Sequence, residues 1–117
     1  MGRIIHFEIP AEQPERAMEF YRKTFNWSFQ GFGDMPYWMA STGPKDQPGI
    51  DGAILPRGSA AQTVNNVVMV ESLESAIAAV KTNGGQMLTD IIPIPGIGRY
   101  ANAMDTEGNQ FGMMQPG

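Results

Sequence analysis

The stretch IIHFEIPAEQPERAMEFYRKTFNW, residues 4–27, changes period at its centre. Up to Ile9 it alternates: Ile5, Phe7 and Ile9 fall on one side, and Ile4, His6 and Glu8 on the other, the two-residue repeat of a strand. From Pro14 the repeat becomes helical. Ala17, Phe20, Tyr21 and Phe25 recur at i, i+3, i+4 and i+8, while Glu15, Arg16, Glu19, Arg22 and Lys23 lie on the other side. Pro14 suits the first helical position, where its missing N–H costs nothing, and Glu15 sits near the positive end of the helix dipole.

Farther along, the pattern recurs. In NNVVMV, Asn66, Val68 and Val70 alternate with Asn65, Val67 and Met69. SLESAIAAVKTNGG then places Leu73, Ala76, Ile77 and Val80 on one helical face. Ser72 is its N-cap, and Gly84 or Gly85 its left-handed C-terminal cap. Short strands are expected after each helix, at about 27–32, 36–42 and 50–55, then at about 86–90, 98–104 and 109–115. GSAAQ lies in a linker of about 58–63. The chain reads as one strand–helix–strand–strand–strand unit written twice, module one over about 1–57 and module two over about 64–117. Setting Gly52 against Gly112 places His6 opposite Val67.

Composition narrows the function classes. One domain's worth of chain, 117 residues with net charge −4 and pI near 4.8, gives no electrostatic reason to bind nucleic acid, and its eight Lys and Arg are scattered. No apolar segment approaches the roughly 20 residues of a membrane span, and no signal-peptide core opens the chain. Without cysteine there is no disulfide frame and no thiolate chemistry; a cytoplasmic location is the expectation.

Three segments, residues 4–27, VMVESLESAIAAVKTNGGQ, and GIGRYANAMDTEGNQFGMMQP, together resemble the vicinal oxygen chelate superfamily of glyoxalase I, bleomycin resistance proteins and extradiol dioxygenases. The look is most like bacterial lactoylglutathione lyase-related proteins without assigned substrates. The resemblance implies an α+β fold: two βαβββ modules curling into an incompletely closed eight-stranded barrel with the helices outside, commonly as a homodimer. It also implies a divalent metal (Ni, Zn, Mn or Fe), held by one residue from the first strand and one from the last strand of each module. Carried over, those positions are His6, Gly52, Val67 and Gly112, of which only His6 can bind a metal. Shifting by one brings Asp51 and Asn66 to the second and third positions but leaves the fourth empty, because Phe111 and Met113 flank Gly112. Catalytic zinc sites normally use three protein ligands and a water, so the expectation is a degenerate site with no confident cofactor.

His6 has three readings: a metal ligand, a ligand-contacting group or base sharing a face with Glu8, or a structural side chain hydrogen-bonded in a half-polar interior. In DMPYWMAS, Tyr37 and Met39 share one face and Trp38 takes the other; they suit a flat or apolar ligand, or plain core packing. The nine methionines, with Met113 and Met114 on the closing strand, suit an adaptable pocket and a dimer interface equally. Arg99 can hold a carboxylate or phosphate, or stand exposed in its loop. The substrate-binding candidates are thus His6, Glu8, Tyr37, Trp38, Met39, Arg99 and Met114.

DTEGN is a turn: Asp105 accepts backbone N–H bonds, Gly108 takes a positive φ, and Glu107 at the tip is not the missing ligand. PIPGIG lacks the strand–loop–helix setting of a phosphate loop, and one histidine with no nucleophile elbow makes no hydrolase triad. Two functions compete, ahead of a purely structural interaction module that does nothing to explain the polar cup face. One is a metal-free module binding a small molecule in its cups; the other is a metal-dependent lyase, isomerase or dioxygenase centred on His6.

Overall fold

The structure is a computed structural model and describes residues 1–117. Its contacts divide into two units, His6–Val64 and a second made of Met1–Ile5 with Asn65–Gly117. The first strand therefore begins in one unit and continues in the other, a division that the alternating pattern of residues 4–11 does not reveal.

The first unit holds β1 (Ile4–Ala11, from His6), α1 (Pro14–Phe25), β2 (Ser28–Phe32), β3 (Met35–Ser41) and β4 (Gly52–Pro56). Its strands run in the order β2-β3-β4-β1, with β1 and β4 parallel and the rest antiparallel. That order follows from chain length: the helix carries the chain back for a parallel return, whereas short turns allow only antiparallel neighbours. Pro14 occupies the start of α1, and Asn26 closes it in the left-handed conformation (φ 62°), its N–H bonding to the Arg22 carbonyl.

The apolar stripe of α1 sits differently from its sequence reading. Met18 is the buried residue, with Ala17 and Tyr21 beside it, packed on Ala11, Ile54, Ile9, Phe29 and Trp38. Phe20 and Phe25 are 57% and 60% exposed. The i, i+4 spacing located the stripe but not its centre, which lies one residue round the helix at Met18. The aromatic rings pack sideways instead: Tyr21 lies flat on Trp27 at 4.5 Å, and Phe7 tilts against Trp27 at 5.8 Å.

The second unit holds β5 (Asn65–Met69), α2 (Leu73–Thr82), β6 (Gln86–Met87), β7 (Ile92–Ile94), β8 (Gly98–Met104) and β9 (Gln110–Pro116). Its order is β5-β9-β8-β6, with β7 also on β8. The expected strand at about 86–90 is only two residues long, and β7 is an addition that the prolines of IIPIP concealed. Ser72 caps α2 by accepting from the Ser75 N–H at 3.2 Å. Leu73, Ala101, Ala103 and Met113 form the core beneath it, with Ala76, Ile77 and Val80 packed around them. Residues before β1 tie into this unit: Gly2 N–H donates to the Met69 carbonyl at 2.7 Å, and Met69 N–H to the Arg3 carbonyl at 2.9 Å.

Candidate functional site

Register decides which side chains of the first unit share a face. Glu8 pairs with Ala53, and Ala53 with Met39. Alternation then puts His6, Glu8, Tyr37 and Met39 on the face away from α1. Phe7, Ile9, Gly52, Ile54 and Trp38 lie on the face towards it. Tyr37 reaches across β4: its hydroxyl donates to Glu8 Oε2 at 2.7 Å and lies 2.8 Å from His6 Nε2. Tyrosine has one hydroxyl hydrogen, and Glu8 receives it, so Nε2 must be the protonated nitrogen that donates to the Tyr37 oxygen. The tautomer is thereby set, and Nδ1 is left as an acceptor. Burial pushes the His6 imidazole below its ordinary value of 6.5, and the carboxylates of Glu8 and Asp51 partly oppose that. Asp51 also fastens the loop before β4, its Oδ1 accepting from Thr42 N–H at 2.9 Å and from Thr42 Oγ1 at 3.3 Å. Phe32 sets its ring edgewise to Tyr37 at 6.0 Å.

In the second unit, Val67 pairs with Gly112 and Gly112 with Asn102; Met69 pairs with Met114 and Met114 with Tyr100. Asn65, Val67, Met69, Tyr100, Asn102, Gly112 and Met114 thus line the face away from α2. A tyrosine is again the centre: Asn65 Nδ2 donates to the Tyr100 oxygen at 3.0 Å, and the Tyr100 hydroxyl donates to Asn102 Oδ1 at 2.7 Å.

These two registers correct the sequence alignment of the modules. Tyr37 matches Tyr100, Met39 matches Asn102, Ala53 matches Gly112 and Glu8 matches Val67, so His6 matches Asn65 rather than Val67. Gly52 is the wrong partner for Gly112. It turns towards Phe7, whose ring and carbonyl oxygen lie 2.5 Å from where its Cβ would be, whereas Gly112 belongs to the opposite kind of face. Two glycines in similar turns misled the alignment because their loops differ in length.

The remaining candidates separate. Trp38 packs into the core with Met18 and Ile54, away from His6. Arg99 also lies on a helix-facing side: it makes a two-pronged pair with Glu74 at 2.6 and 2.7 Å and donates to Gln115 Oε1 at 2.7 Å. Gln115 Oε1 in turn accepts the Leu73 N–H at 2.8 Å, so Arg99 fastens the start of α2. Hydrogen bonding to Arg99 pulls the Glu74 carboxyl down to about 2. Met39 and Met114 keep their places on the candidate faces. Sequence reasoning missed Asn65, Tyr100 and Asn102. The available signal is the spacing of Tyr37 and Met39 on one face, which Tyr100 and Asn102 repeat in module two.

The residues do not fit the divalent metal centre that the resemblance implies. His6 Nε2 is engaged by Tyr37, and no three His, Asp or Glu side chains converge as a metal would need. The position of Gly112 is filled: a Cβ there would meet Tyr100 Cζ at 2.6 Å and Cε2 at 2.7 Å.

Residues 3–113 match the Glyoxalase/Bleomycin resistance protein/Dioxygenase superfamily. A glyoxylase-like domain-containing protein of Didymella fabae is 36% identical over 118 aligned positions, covering 92% of this chain and 89% of that protein. In fold, the chain is similar to a hypothetical protein of Bacillus halodurans C-125 (TM-score 0.70, 15% identity, 99% of this chain and 95% of that one). It is also similar to a methylmalonyl-CoA epimerase variant of Streptomyces coelicolor in complex with 2-nitronate-propionyl-CoA (TM-score 0.66, 14% identity, 99% and 95%). The paired α+β modules, the length of the match and the identity to a relative together place this chain in the Glyoxalase/Bleomycin resistance protein/Dioxygenase superfamily.

Proposed function

We propose that this chain binds a small molecule without a resident divalent metal, using the face of module one that carries His6, Tyr37 and Glu8. The observation that carries this is the Glu8–Tyr37–His6 chain of hydrogen bonds at 2.7 and 2.8 Å. It commits the imidazole to one tautomer, with Nδ1 as the acceptor for a ligand's N–H or O–H. Burial keeps that imidazole neutral near pH 7. Met39, 38% exposed, and the edge of Phe32 supply apolar surface beside it. The homodimer and the cytoplasmic location belong to the same proposal.

Charge argues against transferring the acyl-CoA ligand of the epimerases. CoA is a polyanion, and this face carries carboxylates. Of the eight Lys and Arg, Arg99 alone lies within a strand, and it is spent on Glu74.

The test is thermal melting with Ni²⁺, Zn²⁺, Mn²⁺ and Fe²⁺ in one arm and a small-molecule library in the other, on the natural chain and on His6→Ala. A ligand at 100 times its Kd adds about 2.7 kcal/mol to stability. The expected result is a shift from library members that His6→Ala abolishes, with no stoichiometric metal uptake. Stoichiometric, stabilising metal binding that His6→Ala removes overturns the proposal in favour of a metal-dependent lyase, isomerase or dioxygenase.

A further inference from the structure

Module two repeats the tyrosine-centred arrangement with neutral partners, and its hydrogen count has a consequence for binding. Asn65 Nδ2 donates to the Tyr100 oxygen, so the one Tyr100 hydroxyl hydrogen goes to Asn102 Oδ1, which Asn65 Nδ2 also approaches at 3.4 Å. Those bonds orient the Asn102 amide: Oδ1 towards the tyrosine, Nδ2 away from it. The Nδ2 group takes no part in the cluster's bonds, and Asn102 is only half-buried. Its backbone is held as well. Its N–H donates to Thr89 Oγ1 at 3.0 Å, and its carbonyl accepts from Leu88 N–H at 2.9 Å and Thr89 N–H at 3.3 Å.

A fixed donor is therefore set on a face whose other side chains include Val67, Met69 and Met114, and no Asp, Glu, Lys, Arg or His of β5, β8 or β9 shares that face. We propose that Asn102 Nδ2 is the donor of a second subsite, in module two, for a neutral carbonyl or amide oxygen on an apolar ligand. A carboxylate is the wrong partner, because it would shed water with no cation to offset the loss. The subsite rests on the reading of the chain as a small-molecule binder and names part of what such a molecule carries.

Benzamide and benzoate are matched probes, titrated separately into labelled protein while two signals are followed by NMR: the Asn102 side-chain amide and the His6 ring. Benzamide is expected to move the Asn102 amide, with benzoate at least tenfold weaker. Asn102→Asp keeps an acceptor for Tyr100 but loses the donor; it is expected to weaken benzamide binding roughly tenfold, the value of one hydrogen bond. Asn102→Leu serves as a second variant of similar size, with the backbone amide spectrum reporting that each variant is folded. Equal binding of benzoate, or unchanged benzamide affinity in both folded variants, overturns the subsite. Movement of the His6 ring without the Asn102 amide overturns the subsite alone and leaves the binding reading standing. Silence of both signals overturns the two together.

Discussion

Gly112→Ala adds one methyl group where the ring of Tyr100 already lies, with Cζ and Cε2 at 2.6 and 2.7 Å from the new carbon. Real Cβ contacts are not that short, so the ring must leave. Forcing a methyl into a filled site costs about 1–3 kcal/mol. The two hydrogen bonds of Tyr100 to Asn65 and Asn102 add about 0.5–1.5 kcal/mol each when broken. The sum is roughly 2–6 kcal/mol. Unfolding entropy of about 2.1 cal/mol/K per residue over 117 residues is near 0.25 kcal/mol/K, so the melting temperature should fall by about 8–24 °C. Calorimetry on Gly112→Ala measures this directly. Gly31→Ala is the control: no atom lies within 4 Å of its Cβ, so the ordinary gain from replacing glycine, about 0.4–1 kcal/mol, should appear. In a Tyr100→Ala background the penalty at position 112 should shrink to below about 1 kcal/mol, because the two groups compete for one space. If Gly112→Ala melts within 2 °C of the natural chain, or its cost persists without Tyr100, the steric reasoning against a ligand at position 112 is wrong.

Further outcomes follow from the same contacts. His6, the one histidine, should show the Nε2–H tautomer by ¹⁵N NMR and titrate below 6.5; Glu8→Gln should lower it further, because a carboxylate that favours the imidazolium is gone. A depressed histidine means that the unfolded chain binds more protons, so the associated stability is complete above pH 6.5 and is lost as pH falls through the folded value. Arg99→Gln should return the Glu74 carboxyl from about 2 towards 4.5 in a ¹³C titration. It should also remove a stabilising effect that is present above pH 4.5 and fades towards pH 2, without altering ligand binding at His6. Ile54→Ala should cost about 2–4 kcal/mol in urea unfolding, since Ile54 is fully buried under α1.

The sequence made periodicity legible, and with it both long helices, the duplication and the superfamily. It also put His6 with Glu8 and Tyr37 with Met39, because alternation along one strand is a local property. Strand order is not local. Nothing within MPYWMAS says that β4 lies between β3 and β1, so the meeting of Tyr37 with His6 and Glu8 stayed hidden. The same limit misplaced Arg99. A guanidinium beside a loop reads as an anion holder, but its parity with Ala101 and Ala103 puts it on the side of α2, where Glu74 takes both prongs.

Why the residues of two modules with one backbone plan should both fit a metal poorly follows from the tyrosines. A half-buried phenol needs partners for its hydroxyl, and in each module these include first-strand side chains: His6 and Glu8 in one, Asn65 together with Asn102 in the other. Of these, His6 is the position from which the superfamily resemblance would draw a first-strand metal ligand, and Asn65 is its counterpart in the second module. An imidazole that donates Nε2–H to a phenol has only Nδ1 to offer, and an amide that donates to a phenol is a poor ligand from the start. The last strands then need no ligand, and Ala53 and Gly112 leave room for the rings. Restoring a carboxylate at 112 alone therefore should not restore a metal: it would displace the Tyr100 ring, and the first-strand position of that module would still hold the neutral amide of Asn65.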